Sequence, residues 1–300
     1  MSAELTILCY HRVLPESARA GDGRPYFVRG TAVSTVSFRA EVMSLAAQFD
    51  LVSEAHVIAW LAGQRTFARP ACWLTFDDGY MDVLEHAAPI LAELGVPATA
   101  FIATDVLDGA VLPADRWYAV LNAATRRRGA LGSGARAWAF DLDVPSDYAR
   151  LVDGPERRAF LAAAPAEREP LLRELVEAVG APCEPTSAQL YLTPEALARL
   201  VASGWAIGSH TRSHPFLPLL SEPAVADELR DSHAALASLG VDARSFAYPD
   251  GRWNPALVRQ VRAAGYAIGV TLEPGLARVG DEPLSLPRAL GGALRSTCRC

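Results

Sequence analysis

Short apolar runs alternate with amphipathic stretches along most of the chain. A run of four to six apolar residues predicts a buried strand, because parallel strands covered on both faces read as continuous apolar segments. The predicted strands are residues 5–10, 71–76, 98–103, 206–210, 245–248 and 267–270. Between most of them apolar residues recur at helical spacing, and the predicted helices are residues 37–49, 54–63, 81–95, 193–204, 222–240 and 254–265.

Strand and helix alternate, and this order indicates an α/β fold with a parallel sheet. Several predicted helices begin with Ser, Thr or Asn before a proline and end at glycine, which are helix start and stop signals. In folds of this class the catalytic groups gather at the carboxyl ends of the strands. Four polar clusters follow predicted strands here: "YH" at 10–11, "DDG" at 77–79, "SHTRSH" at 209–214 and "YPDG" at 248–251.

Residues at about 105–190 interrupt this alternation. We interpret them as a mostly helical insertion within one domain that spans 1–300, placed to cover the site or select the substrate. Three aromatic residues have two interpretations, as walls that stack on sugar rings or as ordinary core packing; they are Trp117, Tyr118 and Trp253.

Composition narrows the class of protein. Hydrophobic residues make up 51% of the 300-residue chain and charged residues 21%, which excludes a disordered protein. The net charge of -6 does not favour a nucleic-acid partner. The chain begins without a recognisable export signal and has no apolar run long enough to cross a membrane. Five cysteines without a C-x-x-C pair fit a reducing compartment, so we predict a cytoplasmic protein without a transmembrane segment.

Two of the polar clusters carry residue types suited to metal-dependent hydrolysis. Asp77 and Asp78 follow one strand, and His210 and His214 follow another. Neighbouring residues at a strand end point in different directions, so one aspartate is suited to bind a metal while the other acts as a base. The two histidines share one face if their segment coils into a helical turn. The alternative to a metal site is that these residues have only local roles. Asp side chains often bond to the backbone of a turn, and both histidines would then be solvated loop residues.

The stretches "ILCYHRV", "LTFDDGY", "GSHTRSHP" and "FAYPDG" together resemble the polysaccharide deacetylase family, the NodB-homology fold of carbohydrate esterase family four. The resemblance covers residues 5–103 and 191–290. It implies an α/β fold, a distorted (β/α) barrel of about seven parallel strands. It also implies a metal-dependent hydrolase that removes N-acetyl groups from amino sugars of a polysaccharide, or of a glycan precursor such as a lipid-linked sugar.

By this resemblance, Asp77 matches the catalytic base. Asp78, His210 and His214 match the ligands of a divalent metal, most often zinc. The family's acid histidine is absent from "LSLPRAL", and His11 matches its position in a branch with permuted motifs. The resemblance therefore implies that His11 is the general acid, and the alternative is a structural histidine.

The third motif departs from the family pattern. Ala247 stands where the family has an arginine that orients the base, and Asp250 stands where an aromatic residue donates a backbone N–H to the oxyanion. A backbone donor survives substitution, so we keep that role for Asp250. We expect Arg288 to replace the missing arginine, with a surface arginine as the alternative. Two other functions stay open: hydrolysis of a non-sugar amide or imide, and glycan binding without catalysis.

Overall fold

Parallel strands dominate the computed structural model, which describes residues 4–132, 137–182 and 190–292. The strands are β1 (Leu5–Tyr10), β2 (Arg12–Leu14), β3 (Ala32–Ser34), β4 (Asp50–Leu51), β5 (Ala71–Phe76), β6 (Ala98–Ile102), β7 (Arg128–Leu131), β8 (Trp138–Asp141), β9 (Ala206–Ser209), β10 (Ser245–Ala247), β11 (Ile268–Val270) and β12 (Ala289–Leu290). The α-helices are α1 (Arg24–Arg29), α2 (Thr35–Gln48), α3 (Glu54–Leu61), α4 (Ala88–Leu94), α5 (Pro113–Asn122), α6 (Pro145–Asp153), α7 (Pro155–Ala162), α8 (Pro165–Val179), α9 (Pro194–Ala202), α10 (Glu222–Ser238) and α11 (Pro255–Ala263).

The chain divides into two units. Unit 1 lies within residues 1–16, 31–110 and 189–300, and unit 2 within residues 17–30 and 111–188. Unit 2 contains α1, α5 to α8 and an antiparallel hairpin of β7 and β8. The sequence predicted the helices of this region but neither the hairpin nor the inclusion of residues 17–30. The single domain over 1–300 stays a prediction.

The main sheet belongs to unit 1 and has the order β11-β10-β9-β6-β5-β1-β12. Every neighbouring pair in this order is parallel. The sheet curls, and the segment before β12 connects its two sides: Leu286 pairs with Val270 in β11, and Ala289 pairs with Leu8 in β1. The predicted fold, a distorted (β/α) barrel of about seven parallel strands, is confirmed.

Alternate residues of the strands fill the inside of the curled sheet. Leu5 and Ile7 in β1 share one buried apolar cluster with Trp73 in β5 and Phe101 in β6. Residues of opposite parity face the helices, as Tyr10 does when its ring packs 5.1 Å from the ring of Phe38 in α2. Because strand side chains alternate with period two, the inner face continues at the carboxyl end through Cys9, Thr75 and Asp77.

One predicted helix differs in detail. The sequence predicted a single helix over 81–95, whereas the structure has a π-helical turn at Val83–Ala87 followed by α4. Pro89 at the start of α4 has no backbone N–H to donate, so an ordinary α-helical bond is missing at this point. The turn begins four residues after the "DDG" cluster ends.

Candidate active site

Asp77 lies at the end of β5 with its side chain on the inner face of the sheet. Its backbone N–H donates to the carbonyl oxygen of Tyr10 at 2.9 Å, which continues the pairing of β5 with β1. Arg288 donates from Nη1 to Oδ1 at 2.8 Å and from Nη2 to Oδ2 at 2.7 Å. The side chains of this pair are 0% and 2% exposed, so Arg288 reaches Asp77 rather than solvent.

Two further bonds orient the guanidinium of Arg288. Its Nε donates to the carbonyl oxygen of Thr271 at 2.8 Å, and Nη1 also donates to Oγ1 of Thr75 at 3.1 Å. Burial raises the pKa of Asp77, but the Arg288 guanidinium outweighs this, and the pKa of Asp77 lies below its ordinary value. Asp77 is therefore a carboxylate of fixed orientation at any working pH.

Cys9 adds a third donor to the same carboxylate. Its Sγ lies 3.3 Å from Oδ2 of Asp77 and is fully buried. Burial raises the pKa of the Cys9 thiol, so the sulfur keeps its proton and donates it to the carboxylate. The sequence analysis did not single out Cys9; its inner-face position, two residues before His11, was the available signal.

Asp78 turns away from its neighbour because its backbone φ is 78°, in the left-handed region. Its Oδ1 lies 3.5 Å from Nε2 of His210 and 3.4 Å from Nε2 of His214. One ligand atom from each of the three residues lies within 4.8 Å of the others. The structure thus brings Asp78, His210 and His214 together, while Asp77 has Arg288 as its principal partner and its Oδ2 lies 3.8 Å from Nε2 of His210.

His210 is buried directly after β9, and its own environment orients the ring. Nδ1 lies 2.7 Å from the carbonyl oxygen of Ala247. A carbonyl oxygen only accepts, so Nδ1 carries the proton and Nε2 presents its lone pair toward Asp78. Burial lowers the pKa of His210 to about 3, which keeps the imidazole neutral, as a metal ligand must be.

The backbone between the histidines differs from the expected helical turn. Thr211 has φ 68° and His214 has φ 57°, so both residues are left-handed. Such residues cost about 1–3 kcal/mol each, and the surrounding bonds must offset that cost. Oγ1 of Thr211 accepts the N–H of His214 at 3.1 Å, so this side chain orients the loop rather than capping a helix. The two imidazole rings lie 4.8 Å apart as a result.

His11 lies between β1 and β2 and is half-buried. Its Nδ1 is 3.9 Å from Sγ of Cys9, and ligand atoms of His11, Cys9 and Asp77 lie within 4.8 Å of one another. The next residue, Arg12, donates from Nε to the buried carboxylate of Asp82 at 2.8 Å. The sequence analysis missed Asp82, and an ionisable residue in the first turn of the predicted helix 81–95 was the available signal.

Asp250 lies in a tight turn after β10, with φ 54°. Its carboxylate accepts from Nε of Arg252 at 2.9 Å. The bond from His210 to Ala247 places the end of β10 beside the histidine loop, and Asp250 follows three residues later. Ala247 itself is buried among the apolar residues inside the sheet. Its methyl group cannot form the ion pair with a carboxylate that an arginine forms.

The aromatic residues considered as sugar walls lie in different places. Trp117 and Tyr118 are each 2% exposed and pack in unit 2, where Nε1 of Trp117 donates to the carbonyl oxygen of Leu151 at 2.8 Å. These two residues are core, and the stacking interpretation is wrong for them. Trp253 is half-buried, and its Nε1 donates to Glu273 at 2.9 Å.

The sequence profile of the family described as "Polysaccharide deacetylase" matches residues 64–130 and 160–269, which is more than half of the chain. The chain belongs to the polysaccharide deacetylase family. The resemblance predicted from the motifs is therefore confirmed. The enzyme class, a hydrolase of carbon–nitrogen bonds other than peptide bonds, is confirmed with it.

Individual relatives agree with this family membership. The chain is 32% identical over 88 residues to YxkH of Bacillus subtilis strain 168, a candidate polysaccharide deacetylase, and this match spans 29% of the chain and 32% of YxkH. The chain therefore matches about a third of the length of this curated relative.

Solved structures of deacetylases share the fold. The Streptococcus pyogenes deacetylase PplD in complex with acetate aligns at a TM-score of 0.62 and 19% identity, over 97% of this chain and 93% of PplD. IcaB from Ammonifex degensii aligns at a TM-score of 0.60 and 21% identity, over 98% of this chain and 94% of IcaB. At these identities the likeness shows a common fold.

Proposed function

We propose that this polysaccharide deacetylase family member hydrolyses N-acetyl groups of amino sugars in a polysaccharide or glycan precursor, and that it needs a divalent metal. The observation that carries this proposal is that the adjacent carboxylates of Asp77 and Asp78 have different partners. Asp77 is held by Arg288 as a buried, ionised base, while Asp78 faces His210 and His214. An amide hydrolase needs both a base and an electrophile at such close range.

The donor set of Asp78, His210 and His214 fits a divalent metal. Two imidazole nitrogens and one carboxylate oxygen are typical of catalytic zinc, which keeps a further position open. His210 offers a neutral Nε2 because Nδ1 is committed to Ala247. When bound, zinc supplies Lewis acidity that polarises an acetamide carbonyl and acidifies water. We assign zinc as the metal on this chemistry.

The other residues of the site transfer protons or stabilise charge. Asp77 takes a proton from the attacking water, and Arg288 keeps its carboxylate ionised and oriented, in the role that the family gives to the arginine missing at 247. The water oxygen bonds to the acetyl carbon to give the oxyanion, and the carbon–nitrogen bond breaks afterwards. His11 gives its proton to the leaving nitrogen, so that the products are acetate and a free amine. We assign the backbone N–H of Asp250 to the oxyanion.

The substrate follows from the family and from one relative. PplD has been solved with acetate, the small product expected from an N-acetylated glycan, and we extend that chemistry to this chain. The described residues contain no helix of the length and apolarity that crossing a bilayer requires. The cytoplasmic location stays a prediction, and the choice among a polysaccharide, a glycan precursor and a lipid-linked sugar is left to the assay.

The experiment combines metal content with acetate release. The purified protein is analysed for bound metal and incubated with N-acetylglucosamine oligomers, before and after chelation and after zinc is restored. About one metal per chain, with acetate release lost on chelation and regained with zinc, supports the proposal. Glucose oligomers, which lack the acetamide group, are the matched substrate control.

Other outcomes separate the alternatives. Metal binding without acetate release from any N-acetylated sugar, lipid-linked sugars included, contradicts the proposed substrate and favours the hydrolysis of a non-sugar amide or imide. Oligosaccharide binding without metal or acetate release favours a glycan-binding protein that does not catalyse the reaction.

A further inference from the structure

A buried glutamate on α10 holds the loop between the two metal-ligand histidines. Oε2 of Glu228 accepts the backbone N–H groups of Arg212 and Ser213, both at 2.9 Å. Oε1 accepts the hydroxyl of Ser213 at 2.7 Å. Glu228 is only 6% exposed, so these three bonds form away from bulk water, where charge-assisted hydrogen bonds are strongest.

A second contact from α10 lies one turn further along. Oγ of Ser232 lies 2.9 Å from Oγ of Ser209, and Ser209 in turn accepts the N–H of Thr211 at 3.3 Å. Residues four apart on a helix share a face, so Glu228 and Ser232 present one polar surface to the loop. The helix therefore contacts Arg212 and Ser213 directly and Thr211 through Ser209.

The loop needs such a support because of its backbone conformation. Thr211 and His214 are both left-handed, and regular helix or sheet bonding cannot continue through them. The N–H groups of the residues between them turn toward α10, and the carboxylate of Glu228 accepts both. This bonding holds the two residues that connect Thr211 to His214.

We propose that Glu228 is a positioning residue that sets the metal affinity of the site formed by Asp78, His210 and His214. The inference rests on the proposed function, because it takes these three residues as the ligands. Glu228 acts through the loop backbone: its three bonds hold the segment that brings His214 to Asp78 before the metal arrives, while the Ala247 carbonyl orients His210. Residues that orient metal ligands in this way change metal affinity about 10–100-fold when they are removed.

Asp231 provides a matched control on the same helix. Its Oδ2 accepts from Nη1 of Arg212 at 3.0 Å, and Oε1 of Glu228 lies 3.6 Å from Nη2 of the same guanidinium, so both residues pair with this side chain whereas Glu228 also accepts from the loop backbone. Surface ion pairs of this kind contribute little. Loss of Asp231 changes the local charge by the same amount as loss of Glu228 and leaves the loop backbone bonded.

The experiment titrates the metal-free protein with Zn²⁺ alone, against a competing chelator, in the parent and three variants. We expect Glu228→Ala to bind Zn²⁺ about 10–100-fold more weakly and Asp231→Ala to bind within about twofold of the parent. Glu228→Gln keeps one acceptor oxygen, so its affinity should lie between those of the parent and Glu228→Ala. Amide hydrogen exchange in the metal-free state should rise at Arg212 and Ser213 in Glu228→Ala.

The outcomes separate this inference from the proposed function. A parent that binds Zn²⁺, together with a folded Glu228→Ala variant of equal affinity, overturns the role of Glu228 and leaves the proposed function intact. Equal losses in Glu228→Ala and Asp231→Ala also overturn it, because the effect is then one of charge and not of loop position. A parent that binds no Zn²⁺ overturns both.

Discussion

Replacing Arg288 with methionine tests the arrangement on which the proposed base depends. Arg288 donates four hydrogen bonds, two of them to Asp77, and both side chains are almost fully buried. Removing one partner of a buried ion pair leaves an uncompensated charge and costs about 3–5 kcal/mol. We therefore expect the free energy of unfolding of Arg288→Met to fall by about that amount.

Two further variants control for this effect. Arg39 makes a bidentate pair with Glu93 at 2.8 and 2.6 Å, but on the surface, so Arg39→Met should lower the free energy of unfolding far less than Arg288→Met does. The double variant Arg288→Met/Asp77→Asn has no buried carboxylate left unpaired. It should be at least as stable as Arg288→Met alone, and the double-mutant cycle should show a coupling of up to about 3 kcal/mol.

Stability is measured by urea-induced unfolding of the metal-free proteins, followed by circular dichroism and tryptophan fluorescence. Acetate release is measured across pH in the zinc-loaded proteins. Without Arg288, burial of Asp77 loses its main opposing interaction and the pKa of Asp77 rises, so the limb on which activity rises with pH should move to higher pH. A cost no larger than that of Arg39→Met, with an unmoved pH profile, would refute the reasoning.

The remaining predictions concern single groups of the site. Asp78→Ala should remove bound zinc and acetate release together, as checked by metal analysis and a parallel activity assay. Asp77→Asn should retain zinc but lose turnover, and loss of zinc as well would contradict the separation of base and ligand. His11→Ala should lower kcat about 10²–10⁴-fold with zinc retained, and unchanged kcat would place the acid elsewhere. His210 has a lower pKa in the folded state than in the unfolded state, so the unfolded state binds its proton first as pH falls. Stability of the metal-free protein should decline from about pH 6.5 to about pH 3, by at most about 1.4 kcal/mol per pH unit from this group, and a His210→Gln variant should show a flatter decline.

The local pattern of the sequence determined the elements and their faces. β5 begins and ends where the apolar run 71–76 does, because each of its residues is buried and the run stops at Asp77. The same period-two alternation decides that Asp77 continues the inner face while Tyr10 packs against α2. These features depend only on neighbours in the chain, so they can be predicted from the sequence. The motifs around Asp77 and His210 are also short stretches of neighbouring residues, so they could predict the family.

The tertiary structure decided how distant residues meet. The sequence offered Arg288 as a partner of Asp77, with a surface arginine as the alternative, and the two residues meet across 211 positions of the chain because the segment before β12 connects the two sides of the curled sheet. Glu228 holds the histidine loop because α10 packs beside it, and its place in the helix gave no signal of this. Left-handed residues at Thr211 and His214 stand where a helical turn was considered, and this loop is bonded to α10 and to the segment after β6. Local pattern determines which way a side chain points, whereas strand order and sheet curvature determine what it meets there.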